Sequence, residues 1–168
     1  MRERPLPERR RRLIAILGDT HLPRGARRLP HECVRVLEAA ELIVHTGDFT
    51  AASVLDELRG YGPVAAVHGN VDEPGLRGVL PERAVIEHEG LAIGIVHDAG
   101  PRAGRYERLL GWFPGCNLVA YGHTHAPEVA LSEGAWIVNP GSPTERRRAP
   151  ARTLAVVRER RPELVTLS

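Results

Sequence analysis

At 168 residues the chain suits one domain with a substantial core and is too short for two ordinary ones. All 23 basic residues are arginine, and six of them sit with two glutamates in the first twelve positions, so the remainder sets 17 basic against 19 acidic residues and argues against a nucleic-acid groove. The distant Cys33 and Cys116 exclude a disulfide framework, and no apolar run approaches the roughly 20 residues of a membrane helix. The expected setting is the reducing cytoplasm, because the apolar run behind the basic start is also too short for a signal-peptide core. Residues 1–12 are expected to be a disordered arginine-rich tail, and residues 13–168 one domain.

Leu13 to Leu17 stays apolar throughout, as a parallel strand covered on both faces must, and stops at Gly18-Asp19. Residues 30–40 read as a helix with Pro30 near its start and Cys33, Val34 and Leu37 on one face. Leu42 to His45 is the next strand. Thr50 is expected to cap a helix through Leu58 that closes at Gly60, and Val64 to Val67 follows as a third strand. Ala84 to His88 and Leu91 to Val96 flank Glu89-Gly90 as a hairpin, with a helix near Ala103 to Leu110 behind them. Leu118 to Tyr121 is another buried strand, and Glu128 to Leu131, Trp136 to Val138, Thr153 to Val157 and Leu164 to Leu167 complete the series. The pattern predicts an α/β fold of two mixed sheets packed together with helices outside.

Five of the apolar runs end in groups able to bind a cation: Asp19-Thr-His21, Gly47-Asp48, Gly69-Asn70, His97 and Gly122-His123-Thr-His125. Carboxylate, amide and imidazole donors delivered repeatedly at strand ends are what a site for two divalent cations needs. In extended chain, residues two apart point the same way, so Asp19 and His21 can reach one ion. His123 and His125 have the same spacing, far enough apart along the chain to serve different ions. Asp48 is the natural bridge, since a carboxylate has two oxygens. Two divalent ions, two carboxylates and one hydroxide leave about one positive charge, which suits an anionic phosphate ester.

The order Asp-Thr-His, His-Thr-Gly-Asp, Gly-Asn-Val-Asp, His, Gly-His-Thr-His and then Asn139-Pro-Gly-Ser142 resembles the calcineurin-like metallophosphoesterases, and among them the small bacterial and archaeal phosphodiesterases. The resemblance covers about residues 13–168. It implies a four-layer sandwich of two mixed β-sheets flanked by helices. Asp19, His21, Asp48 and His125 would then hold one metal, and Asp48, Asn70, His97 and His123 the other. It further implies hydrolysis by a metal-bridging hydroxide, with Asp48, Asn70 and His123 acting through it. The donor set suits manganese first, with iron, zinc or nickel as alternatives. The expected partner is a small-molecule phosphate ester, and the resemblance admits a homo-oligomer.

Val71 stands where many phosphatases of the superfamily carry a histidine that protonates the leaving group, so substrates needing little help are expected. Four other residues are candidates for supporting or substrate-contacting roles. His45 precedes a ligand turn and reads foremost as a satisfied histidine near the core, as does His68. Asp72 reads as a brace rather than a substrate contact. Asp98 either orients a ligand imidazole or decorates a loop, and Asn139 begins a Pro-Gly turn bordering the site. Arg146 to Arg148 reads as a solvated charge run, with phosphate binding as the alternative. The leading reading is a phosphodiesterase. A phosphomonoesterase or nucleotide hydrolase on the same site is one alternative, and a non-catalytic scaffold like the retromer subunit that shares this fold is the other.

Overall fold

A computed structural model of the chain describes residues 13–168, so the expected disordered tail at 1–12 lies outside the described residues. Strand β1 (Leu13–Leu17) is buried at every position. Its odd-numbered side chains, Leu13, Ala15 and Leu17, pack under the helices, while Ile14 and Ile16 face the second sheet. That two-sided burial is why the run carries no polar alternation.

Helix α1 (His31–Ala39) presents Cys33 and Leu37 to the core, and β2 (Leu42–His45) pairs parallel to β1. Helix α2 (Ala52–Tyr61) starts two residues after the expected cap: Ala51 occupies the N-cap without a side-chain hydrogen bond, and the helix passes Gly60 to end at Gly62. Thr50 cannot serve as the cap, because it adopts a left-handed conformation at φ 90° and forms a bridge to Leu22. Strand β3 (Val64–Ala66) closes that edge, and a short helix α3 (Pro74–Val79) follows that the sequence pattern does not announce. Two glycines and a proline in six residues give it poor propensity, and it is held by Pro74 at its start and by burial of Leu76.

Strands β4 (Arg83–His88) and β5 (Leu91–Val96) form the expected hairpin, with Glu89 and Gly90 at φ 51° and 79°. Positive φ at both turn positions matches the right-handed twist of the flanking strands. Helix α4 (Arg105–Trp112) leads to β6 (Leu118–Ala120), β7 (Glu128–Ser132), β8 (Ala135–Asn139), β9 (Arg152–Arg158) and β10 (Arg161–Leu167).

One sheet runs β10-β9-β1-β2-β3 and the other β4-β5-β6-β8-β7, each five-stranded and mixed. Ile14, Ile16 and Val44 meet Ile93, Ile95 and Leu118 between the sheets. Leu37, Leu55 and Leu58 cover the first sheet, and Leu109 of α4 and Phe113, which caps that helix, cover the second. The result is the four-layer sandwich. The strands β1, β2 and β3 are parallel to one another, as are β5, β6 and β8, so their C-terminal ends gather where polar loops can converge. Among the described residues no helix is long and apolar enough to cross a membrane.

Candidate metal centre

The loops leaving β1, β2, β3, β5 and β6 bring all seven sequence-predicted ligands to one place. Asp19, His21 and His125 form one cluster of donor atoms, and Asp48, His97 and His123 form a second. Within the first, His21 Nε2 lies 3.2 Å from His125 Nε2, which in turn lies 3.6 Å from Asp19 Oδ1. Within the second, Asp48 Oδ2 is 3.2 Å from His97 Nε2, and Asn70 Oδ1 is 2.9 Å from His97 Nε2 and 3.2 Å from His123 Nδ1. Asp48 Oδ2 also lies 3.7 Å from His21 Nε2, so it faces both clusters. Its other oxygen is taken by the Val71 N–H at 3.0 Å.

The backbone does not follow the extended-chain argument. Asp19 and His21 sit at φ 51° and 46°, Asp48 at 61°, and His123 and His125 at 72° and 58°, all left-handed. Tight turns, not pleat alternation, aim these side chains. His123 and His125 accordingly fall in different clusters because the chain turns between them.

Two main-chain carbonyls orient the rings. His97 Nδ1 donates to Thr46 O at 2.9 Å, and His125 Nδ1 donates to Glu145 O at 2.6 Å. With each Nδ1 committed as a donor, each neutral ring turns the Nε2 lone pair inward. In that tautomer the Nε2 lone pairs of His97 and His125 face the Asp48 carboxylate, the Asn70 amide oxygen, the His21 ring and the Asp19 carboxylate. Donor atoms bound at about 2.1 Å to one cation lie roughly 3.0–3.4 Å apart, the range of the closest pairs here. Convergent acceptors at that spacing fit divalent cations, and the nitrogen-rich set excludes a calcium-type oxygen cage.

Electrostatics tell the same story. Asp19 has no solvent exposure, and burial pushes its carboxyl up to about 7. Burial also lowers His21 and His125 from the ordinary imidazole value. Burial is the largest single influence on His97 and Asp48 and opposes charge on both, but their mutual attraction, the nearby Asp19 and His21 and the backbone contacts with Thr46 and Val71 together outweigh it, holding His97 above and Asp48 below their usual ranges. Without cations the site carries carboxylates that only protons can neutralise.

The supporting residues take distinct places. His45 is fully buried and stacked on Phe49 at 3.6 Å; its Nδ1 accepts from Gly47 N–H, so Nε2–H donates to Thr20 Oγ1 at 3.1 Å. Burial drives its pKa down to about 3, leaving a neutral ring that fixes the Gly47-Asp48 turn. His68 is half-buried, and its Nδ1 has no hydrogen-bond partner among the described residues. Asp72 accepts from Gly69 N–H at 2.7 Å, Asp48 N–H at 3.1 Å and Thr50 N–H at 2.8 Å, tying together the loops of Asp48 and Asn70. Asn139 donates to Thr124 Oγ1 at 2.9 Å, steadying the turn between His123 and His125.

Of the two roles open to Asp98, the loop role holds: it is exposed and accepts from Gly100 N–H, while Thr46 O holds the His97 ring. Gly69 is required by close approach, since a Cβ there would fall on Asp48 Oδ1 and lie 2.5 Å from Asp48 N. Sequence reasoning missed the carbonyls of Thr46 and Glu145, which carry no residue-type signal at all. It also passed over Ser142 and Thr144, whose hydroxyls donate to Asp19 O and Thr20 O; the Asn-Pro-Gly-Ser run was their only trace.

Comparison with known proteins gives a consistent picture. The calcineurin-like phosphoesterase superfamily domain matches residues 13–161. A probable metallophosphoesterase of Methanothermobacter thermautotrophicus is 36% identical over 135 residues, covering 79% of this chain and 77% of its own. Among solved structures, Vps29 of Chaetomium thermophilum shares the fold at a TM-score of 0.74 and 21% identity, over 86% of this chain and 80% of its own. An archaeal phosphodiesterase shares it at a TM-score of 0.69 and 19% identity, over 92% of this chain and 99% of its own.

Proposed function

The chain belongs to the calcineurin-like phosphoesterase superfamily, and from that premise we propose that it is a phosphodiesterase working with two divalent cations, manganese first among them. The observation that carries this reading is Asp48 Oδ2 facing both donor clusters, 3.2 Å from His97 Nε2 and 3.7 Å from His21 Nε2. Asp19, His21, Asp48 and His125 would hold one cation, and Asp48, Asn70, His97 and His123 the other. When bound, such a pair supplies Lewis acidity that activates a water molecule for attack on phosphorus and neutralises the phosphoryl oxygens.

The chain's own residues do the rest. Asp48 fixes the separation of the two clusters, because its turn is clamped by Asp72 and His45. His123 and Asn70 stand at the open side of the second cluster, where the phosphoryl group enters. Beside them a cleft of about 310 Å³, lined by His68, Asn70, Arg77, Glu82 and Asp98, receives one ester substituent. Val71 is 43% exposed next to Asn70 and offers no proton, so the leaving group departs unassisted by that position. A diester whose alkoxide is already stabilised suits this arrangement better than a dianionic monoester.

Bis(p-nitrophenyl) phosphate and p-nitrophenyl phosphate test the reading on manganese-loaded protein. The diester should be cleaved with the higher kcat/KM. A faster monoester would overturn the diester assignment. Full metal binding with neither ester cleaved would favour the non-catalytic alternative.

A further inference from the structure

Three arginines from two separate loops converge on one carboxylate at the edge of the metal centre. Arg24 Nη1 and Arg27 Nη1 lie 3.5 Å and 3.3 Å from Glu145 Oε2, and Arg147 Nε lies 3.8 Å from Glu145 Oε1. None of the three guanidinium groups has another hydrogen-bond or ion-pair partner among the described residues. One carboxylate therefore leaves two positive charges and most of the N–H forks uncommitted. The side chains are 66%, 30% and 51% exposed, within reach of a solute.

The patch is joined to the ligand loops at two points. The carbonyl of Glu145 accepts from His125 Nδ1, and Thr144 Oγ1 donates to the carbonyl of Thr20, between Asp19 and His21. The opposite side of the site has a different character: its cleft sets Arg77 against the carboxylates of Glu82 and Asp98, with no net positive charge. A substrate entering the centre thus meets a cationic wall on one flank only.

We infer that Arg24, Arg27 and Arg147 form a subsite for a second phosphate group on the same small-molecule substrate, beside His21 and His125. Planar guanidinium forks pair with phosphate oxygens in bidentate geometry, and three of them can hold a dianion without displacing Glu145. Three arginines do not make a track for a polymer, and the body of the chain is slightly acidic, so a bisphosphorylated small molecule is favoured over nucleic acid. The inference rests on the phosphodiesterase reading for the position of the scissile phosphate, while the arginine cluster itself does not.

Two matched pairs separate the claims, both on manganese-loaded protein. Calorimetry compares thymidine 3′,5′-bisphosphate with thymidine 5′-monophosphate, and turnover compares the p-nitrophenyl 5′-esters of the same two nucleotides. The bisphosphate should bind about tenfold tighter or better, the value of one charge-assisted contact. That gap should close in the Arg24→Ala/Arg147→Ala protein, reopen partly with lysines at both positions, and persist in Arg35→Ala, which removes a charge from α1. Equal binding of the two nucleotides, or a gap that survives the double alanine substitution, would overturn the subsite. A binding gap without hydrolysis of either ester would leave the subsite standing and remove the phosphodiesterase reading; hydrolysis without a gap would do the reverse.

Discussion

Asp72 is where the structure turns an ambiguous polar residue into a quantitative expectation. Its side chain is 5% exposed, and its two oxygens accept three backbone N–H groups, from Gly69, Asp48 and Thr50. Hydrogen bonds to a charged acceptor contribute about 1.5–3 kcal/mol each, and groups sharing one acceptor are not additive. Asp72→Ala should therefore cost about 4 kcal/mol, since it strands the buried N–H groups of Gly69 and Asp48 and the partly buried one of Thr50. That loss is a large share of the roughly 5–15 kcal/mol of a typical domain, so the protein should fold but melt early.

Asp72→Asn should fall between, because one amide oxygen can keep the Gly69 and Asp48 contacts while its NH₂ opposes the Thr50 N–H. Urea unfolding of chelated protein measures both variants, and manganese titration measures what the loosened Asp48 turn does to cation binding. An Asp72→Ala protein within about 0.5 kcal/mol of the parent would refute the bracing argument. So would a variant whose sole defect is a raised KM, since that is the signature of a substrate contact.

Three further outcomes follow from the same geometry. Asp48→Ala removes the oxygen that faces both clusters and should abolish diester hydrolysis; substantial turnover in that variant would contradict the two-cation scheme. Asp19 retains its proton up to about 7 in the metal-free protein, whereas a free aspartate loses it near 3.8, so cation binding must expel that proton. Manganese affinity should accordingly rise with pH up to about 7 from this group and level off above it, with proton release detected by calorimetry in buffers of different ionisation enthalpy; affinity falling over that range would be the wrong sign. Cys33 is fully buried with its thiol pushed up to about 12, so iodoacetamide should label it only after unfolding; labelling of the native protein at neutral pH would show that the α1 face opens.

Much of the sandwich was readable because its strands are buried on both faces. Runs such as Leu13–Leu17 and Leu42–His45 carry no alternation to misread, and the Glu89-Gly90 pair marks a hairpin by backbone chemistry alone. Helix α3 was not readable, since tertiary burial of Leu76 overrides its poor propensity. Nor was the start of α2, where Thr50 looks like a cap but adopts a left-handed backbone at φ 90° rather than the extended one a cap needs. The ligand types were visible for a comparable reason: a polar residue that abruptly ends an apolar run has no core role to explain it. Their directions were not visible, because those depend on φ values that Asp and His seldom adopt.

Those φ values give the site its logic. Five of the seven candidate ligands are left-handed, a conformation that costs an L-residue about 1 kcal/mol or more. Such turns persist only where the surroundings over-determine them, and each here has a brace. Asp72 and His45 hold the turn at Asp48, Ser142 and Thr144 hold the carbonyls of Asp19 and Thr20, and Asn139 holds the residue between His123 and His125. The braces contact no donor atom that faces the cation clusters, so a substitution among them should weaken cation binding by releasing a turn rather than by removing a ligand.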